Sequence, residues 1–374
     1  MPSVAAFVRG WFNEPPPTFE LRQASARWGQ AKPRAAQRKL RIAEVIEETP
    51  STRTFVLEPA GDGAPPLAYR AGQHLTVLVE ANGARHRRCY SFSSSPLSGG
   101  RPAITVKRMA DGLVSRHLHD RVRADDTLVV DEPTGNFTVE IDPSSTREIV
   151  LVAGGVGITP LMSIAETVLR AEPGSRVVLL CGNRSEDEII FAQRIARLAA
   201  DFAPRLVVRH ALDAAPEGWT GLRGALDGTL VLQALEGRPA DAYYVCGPEP
   251  MMHSVCAALA AAGVASDRIH TERFAYASAA TTRIPDHAAE ITFAGSGRRV
   301  TVQAGQTILQ AGLDAGLALP SSCTMGGCGA CKLQKTAGTV VMSEPNCLTD
   351  HEREAGYILA CCAYADTNVV IAGH

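Results

Sequence analysis

The sequence predicts a multidomain chain: an antiparallel β-barrel, then an α/β domain around a parallel sheet, then a small α+β domain carrying a cysteine-rich loop. Three observations carry that expectation. Short strand-like runs separated by turn clusters fill the first part of the chain. Strands alternating with helix-length amphipathic segments fill the middle. Most of the ten cysteines crowd between 323 and 362.

The boundaries follow from the pattern changes. Residues 1–38 form an extension with Pro15-Pro16-Pro17, scattered basic residues and Trp11 and Trp28. It reads either as a segment packed on the domain surface or as a docking arm for a partner or a membrane surface, with Ala5-Ala6-Phe7-Val8 and Trp11-Phe12 as its apolar face. The barrel domain spans 39–143, with strands around Leu40–Ile42, Thr54–Leu57, Leu75–Val79 and Ile104–Val106 and turns at Gly61-Asp62-Gly63 and Asn82-Gly83. The α/β domain spans 144–274. Its expected strands are Ile149–Ala153, Val177–Cys181, Leu206–His210, Tyr243–Cys246 and Ile269–Phe274, and its helices Thr159–Arg170, Glu186–Ala200 and Met251–Ala262. An Ala/Ser/Thr-rich linker covers 275–288. The last domain, 289–374, opens with a hairpin, Glu290–Ala294 and Arg298–Gln303, and a helix near Gln306–Ala315.

Composition narrows the function classes. The 374 residues hold 37 Lys+Arg against 39 Asp+Glu, a formal net charge of −2, which argues against a nucleic-acid binder held by phosphate contacts. No apolar run approaches the ~20 residues that span a bilayer. The N-terminus lacks the apolar region and cleavage site of a secretory leader, so a cytoplasmic location is expected. In a reducing compartment, crowded cysteines point to a metal or cluster rather than to disulfides.

The most specific motif is Cys323-Thr324-Met325-Gly326-Gly327-Cys328-Gly329-Ala330-Cys331, followed by Cys361. Its C-x4-C-x2-C spacing with a distant fourth cysteine suits four thiolates on a [2Fe–2S] cluster, and differs from the paired C-x2-C units of structural zinc. The glycines let the backbone curl so that N–H groups aim at sulfur. Cys361 ends the apolar stretch Tyr357-Ile358-Leu359-Ala360 and is preferred to its neighbour Cys362, although a swap between the two is conceivable. Cys347 reads as a loop thiol. These residues resemble plant-type ferredoxins over 289–374, which implies a β-grasp fold.

Several further segments point to nucleotides. Arg88-Cys89-Tyr90-Ser91 joins a cation for a phosphate, a ring to cover a flat heterocycle and a hydroxyl to bond a ring nitrogen. Val106-Lys107-Arg108 and then Gly112-Leu113-Val114-Ser115 supply backbone N–H groups and a hydroxyl for a pyrophosphate. Gly154-Gly155-Val156-Gly157-Ile158-Thr159-Pro160 lies between a buried strand and a helix, where glycines permit close approach and the helix N-terminus favours anionic charge. Cys246-Gly247-Pro248 ends a later strand. Arg184 and Ser185 follow the second strand of the domain and suit a 2′-phosphate, although Glu186, Asp187 and Glu188 come next.

Together these segments resemble the ferredoxin–NADP reductase superfamily. The resemblance implies that Arg88, Tyr90 and Ser91 hold FAD, with Tyr90 stacked on its ring, and that Lys107, Gly112, Val114 and Ser115 lie along the pyrophosphate. It implies that Gly155, Gly157, Thr159 and Pro160 receive the nicotinamide nucleotide, with Arg184 and Ser185 at the adenosine end and NADPH favoured over NADH. Cys246, Gly247 and Pro248 are then beside the nicotinamide, with Tyr90, Ser91 and Cys246 at the reaction centre and Phe274 either flanking the flavin or simply packed in the core. Over 39–374 the chain looks like the reductase component of a multicomponent oxygenase, hydroxylase or desaturase, passing electrons from NAD(P)H through FAD and the [2Fe–2S] cluster of Cys323, Cys328, Cys331 and Cys361 to that partner. The alternatives are a redox-sensing subunit and a general reductase for a ferredoxin or haem protein.

Overall fold

A computed structural model describes residues 37–373 apart from 62, 82–83, 98–100, 111, 275–281, 322–323, 325, 328, 345 and 349. The expectations for residues 1–36, most of the linker, the Asn82-Gly83 turn, Cys323 and Cys328 therefore fall outside the described residues.

The first unit is a six-stranded antiparallel sheet. Its strands are β1 (Arg38–Thr49), β2 (Thr52–Pro59), β3 (His74–Ala81), β4 (Ala84–Ser91), β5 (Ala103–Lys107) and β6 (Thr127–Val130), in the order β4-β3-β6-β1-β2-β5. An antiparallel bridge between Phe92 and Ile104 joins the two outer strands and closes the sheet. Inward-facing Leu40, Ile42, Phe55, Leu57, Leu75 and Val77 fill its core, as alternation along half-buried strands requires. One helix, α1 (Leu113–Arg121), lies against it through Val114 and Leu118. The Gly112–Ser115 segment is thus the start of a helix, with Gly112 at its N-cap.

The second unit is a parallel sheet in the order β10-β9-β8-β7-β11-β12. It comprises β7 (Glu148–Gly154), β8 (Arg176–Asn183), β9 (Leu206–Leu212), β10 (Leu222–Arg223), β11 (Ala242–Cys246) and β12 (Ile269–Glu272). Helices α2 (Ile158–Ala171), α3 (Ala192–Asp201), α4 (Gly228–Leu235) and α5 (Glu249–Ala261) connect the strands. The first strand, β7, lies between β8 and β11, so the order reverses at its carboxyl end. Such a switch point opens a crevice for ligands.

Two expectations need correction here. The single helix over Glu186–Ala200 is a short 3-10 turn at Glu186–Glu188 followed by α3. Ile189 is extended and Phe191 takes a left-handed φ of +63°, so the backbone leaves the helical region between the turn and α3. The last strand stops at Glu272 rather than Phe274. Helix α4 and the two-residue β10 were not foreseen; Asp227 caps α4 by accepting the Leu230 N–H at 2.8 Å.

The third unit is a five-stranded mixed sheet in the order β14-β13-β19-β15-β17, formed by β13 (Ala289–Phe293), β14 (Arg298–Val302), β15 (Lys332–Ala337), β17 (Tyr357–Leu359) and β19 (Val369–Ala372). A two-stranded ribbon, β16 (Val340–Met342) with β18 (Ala363–Ala365), and the short helices α6 (Ile308–Asp314) and α7 (Asp350–Glu354) complete it. The expected hairpin is present, and the parallel β13–β19 pair places the C-terminal strand beside it.

Candidate functional site: the barrel–sheet junction and the cysteine loop

The barrel meets the parallel sheet through the segment that follows β4. Ser93, Ser94 and Ser95 are buried and bonded to α2 and α3: Ser163 donates to the Ser94 carbonyl at 2.6 Å, Ser95 and Thr167 share a hydroxyl hydrogen bond at 2.7 Å, and Arg194 donates to the Ser93 carbonyl at 2.8 Å. Glu166, nearly enclosed, pairs with both Arg194 (2.6 Å) and Arg170 (2.8 Å). Burial pushes its carboxyl up, but the two guanidinium groups outweigh burial and hold it below the ordinary value. These bonds fix the end of β4, and with it the flavin-type motif, against the sheet.

Within β4 the side chains alternate. Arg88 and Tyr90 share one face and are half-buried, with Tyr90 resting on the barrel core. Arg87, on the other face, forms an ion pair with buried Asp131, and Cys89 contacts Thr76 at 3.2 Å. Arg88 donates to the Arg87 carbonyl at 2.7 Å. Helix α1 starts without a side-chain cap, leaving its first turn open to an anion. A Cβ on Gly112 would lie 2.3 Å from Ser115 Oγ and 2.8 Å from Met109 Cβ, so a larger residue here would displace the Ser115 hydroxyl from the turn. The Ser115 hydroxyl closes that turn, bonding Met109 N–H and the Gly112 carbonyl at 3.1 Å each. Lys107 extends to Glu188 across the junction at 3.4 Å. A half-buried ring, a neighbouring cation and an uncapped helix start on one barrel fit a flavin dinucleotide.

At the switch point two loops interlock. A Cβ on Gly157 would come within 2.1 Å of the Cys246 carbonyl, and one on Gly247 within 2.9 Å of the Gly154 backbone. Gly155 differs: its φ of +50° faces open space, the geometry for close approach of a pyrophosphate. Thr159, buried in the first turn of α2, donates to the Val156 carbonyl at 3.1 Å, and Pro160 is buried beside it. Pro248 precedes α5 and accepts the Met252 N–H at 3.0 Å. Arg184 is exposed beyond β8, while the Ser185 hydroxyl donates to Asp187 at 2.5 Å. Phe274 packs on the core of the parallel-sheet domain. Cys246 is fully buried, and burial together with nearby Glu272 pushes its thiol well above the ordinary value, so it remains protonated.

Two residues that sequence reasoning missed complete the junction. Glu272, at the end of β12, pairs in register with Cys246 and accepts a hydrogen bond from Ser91 Oγ at 3.1 Å. His74, buried at the start of β3, places Nδ1 3.8 Å from the same carboxylate and Nε2 3.0 Å from Thr134 Oγ1. A carboxylate at the carboxyl end of a parallel strand beside the switch point was the available signal for Glu272; nothing local marks His74.

In the third domain Cys331 and Cys361 are buried, whereas Cys323 and Cys328 lie outside the described residues. The Gly326 N–H points at Cys361 Sγ, 3.2 Å away, and Gly326 and Gly329 adopt φ of +78° and +70°. The Cys362 thiol turns instead to the Leu359 carbonyl at 3.6 Å. Cys347 lies in a loop beside this segment, its N–H donating to the Gly326 carbonyl at 2.8 Å. A left-handed backbone that aims an N–H at sulfur fits an iron–sulfur cluster.

Barrel, switch-point sheet and cysteine loop in one chain define a flavin- and iron–sulfur-containing oxidoreductase. Comparison with known proteins agrees. Residues 39–139 match the oxidoreductase FAD-binding domain, 151–257 the oxidoreductase NAD-binding domain, and 291–366 the 2Fe-2S iron–sulfur cluster binding domain. The ferredoxin reductase component of 3-ketosteroid-9-alpha-monooxygenase from Mycolicibacterium smegmatis is 36% identical over 338 residues, 86% of this chain and 93% of the relative. The glycine betaine monooxygenase reductase subunit of Pseudomonas aeruginosa is 32% identical, over 89% of this chain and 94% of the relative. Among solved structures, phthalate dioxygenase reductase superposes with a TM-score of 0.64 at 26% identity, covering 90% of this chain and 98% of that one. The chain belongs to the family of ferredoxin reductase components that carry FAD-binding, NAD-binding and [2Fe–2S] domains. Among the described residues no helix is long and apolar enough to cross a membrane.

Proposed function

We propose that this chain is the reductase of a multicomponent oxygenase system, drawing electrons from NAD(P)H and delivering them to a terminal oxygenase or hydroxylase. The observation that carries this reading is the Ser91–Glu272 contact. It closes the barrel motif onto the switch point of the nucleotide sheet, in a chain that continues into a cluster-type cysteine loop. FAD held at this junction would supply the exchange between the electron pair of a hydride and the single electrons that a cluster accepts.

The chain's own work is positioning. Arg88 and the first turn of α1, with Gly112, Val114 and Ser115, hold the phosphates of FAD; Tyr90 covers its ring, and Ser91 bonds its edge. Phe274 packs behind that region. Gly155 and Gly157 admit the nucleotide pyrophosphate to the start of α2, where Thr159 and Pro160 shape the turn. Arg184 and Ser185 meet the adenosine end and suit a 2′-phosphate, with Asp187 opposing it. Cys246, Gly247 and Pro248 line the nicotinamide side, and Lys107 bridges the two domains at Glu188. Cys323, Cys328, Cys331 and Cys361 hold the cluster. The domains run 39–143, 144–274 and 289–374, joined by a linker over 275–288. Residues 1–38 act as a docking arm for the acceptor, as a membrane-bound hydroxylase or desaturase would require, and the chain works in the cytoplasm, where its thiols stay reduced.

Steady-state reduction of cytochrome c by the holoenzyme tests this reading. Rapid turnover with NADH or NADPH is expected. Nucleotide binding without turnover would instead mark a redox-sensing subunit. Deletion of residues 1–38 should slow electron delivery to the cognate oxygenase while leaving cytochrome c reduction unchanged.

A further inference from the structure

We infer that His74 is a positioning residue for the reductive half of the reaction, holding the Glu272 carboxylate in the orientation that accepts the Ser91 hydroxyl. This inference rests on the proposed reading of the barrel–sheet junction as the site of nicotinamide–flavin contact.

The geometry is specific. His74 starts β3 and is 5% exposed; its backbone exchanges hydrogen bonds with Thr134, N–H to carbonyl at 2.8 Å and carbonyl to N–H at 3.0 Å. Its ring is trapped as well. Nε2 contacts Thr134 Oγ1 at 3.0 Å, and a Cβ on Gly135 would sit 2.9 Å from Nδ1. Gly135, at φ +119°, therefore leaves the room the imidazole needs. When the Thr134 hydroxyl donates to Nε2, the neutral ring must carry its proton on Nδ1, which faces Glu272 Oε1 at 3.8 Å. The other oxygen, Oε2, receives Ser91 Oγ at 3.1 Å. His74 and Ser91 are partners on adjacent strands of the barrel, whereas Glu272 comes from the nucleotide sheet. The Glu272 side chain is 13% exposed, and the imidazole is its polar neighbour on the barrel side, within ion-pair range at 3.8 Å.

A double-mutant cycle on the holoenzyme tests this. His74→Asn and Glu272→Gln are compared singly and together, with His74→Gln as a second variant should His74→Asn fail to fold. The readouts are the anaerobic rate of flavin reduction, the dissociation constant of NADH and the midpoint potential of bound flavin without nucleotide. Displacing a positioned group by about an ångström costs up to ~100-fold in rate, so His74→Asn, a partial displacement, is expected to slow flavin reduction about tenfold. NADH binding should change less than twofold. In the Glu272→Gln background the His74 substitution should alter neither rate nor potential, because the group it acts through is already gone. Multiplying rate effects, or a His74→Asn variant that matches the parent, would overturn the inference. If the parent itself shows no flavin reduction by either nucleotide, it is the underlying functional reading that fails.

Discussion

The Cys246 carbonyl lies where a Cβ on Gly157 would stand, with a separation of only 2.1 Å. Two loops from neighbouring strands thus meet backbone to backbone at the switch point. The glycine that a nucleotide motif requires is also what allows the sheet's two crevice walls to touch. Gly157→Ala must push Cys246 away, and overpacking of this kind costs about 1–3 kcal/mol. Thermal unfolding should report that loss, and the affinity for NADH should fall with it. An unchanged melting temperature would mean that the two loops separate easily.

Arg184 is exposed beyond β8, within an acidic turn whose Asp187 already holds the Ser185 hydroxyl. Arg184→Ala should lower kcat/KM for NADPH roughly tenfold, about the worth of one charge-assisted hydrogen bond, and change the value for NADH little. Equal losses with both nucleotides would move the 2′-phosphate elsewhere.

Glu166 links two arginines in the packing between α2, α3 and the barrel segment. Its folded-state value is held below the ordinary 4.5, so its stabilisation is fully present above that pH and is lost as pH falls through the folded value. Glu166→Gln should therefore cost about 1–3 kcal/mol near neutral pH, and the gap from the parent should close below pH ~4.5. Denaturant melts at several pH values would show it. A gap that widened in acid would contradict the sign.

Cys362 and Cys361 are adjacent but face differently: Cys361 Sγ meets the Gly326 N–H, and Cys362 Sγ meets its own turn at Leu359. Cys362→Ser should keep full iron content and an unaltered cluster absorption. Loss of the cluster on that substitution would exchange the two roles.

Legibility in the sequence tracked locality. The Gly154–Pro160 loop and the cysteine spacing between 323 and 331 are contiguous, and each carries its chemistry in a few neighbouring residues. The Ser91–Glu272 contact was not legible, because it joins residues 181 positions apart through the docking of two sheets. His74 was hidden for the same reason, its role depending on Thr134 and Glu272 in other elements. Helix α4 is short, and the two-residue β10 exists only by pairing with β9, so neither carries a period of its own. The break before α3 lies at Phe191, whose left-handed φ of +63° no residue-type signal in the sequence marks.

The central claim is a relay whose flavin and cluster segments are separate modules of one chain. It is tested most directly by anaerobic addition of NADH or NADPH to the parent and to Cys361→Ser, with flavin and cluster absorbance followed together. The parent should bleach both chromophores. Cys361→Ser should lose the cluster signal and still bleach its flavin at the parental rate. Flavin that no longer accepts electrons in a folded Cys361→Ser protein would contradict the account.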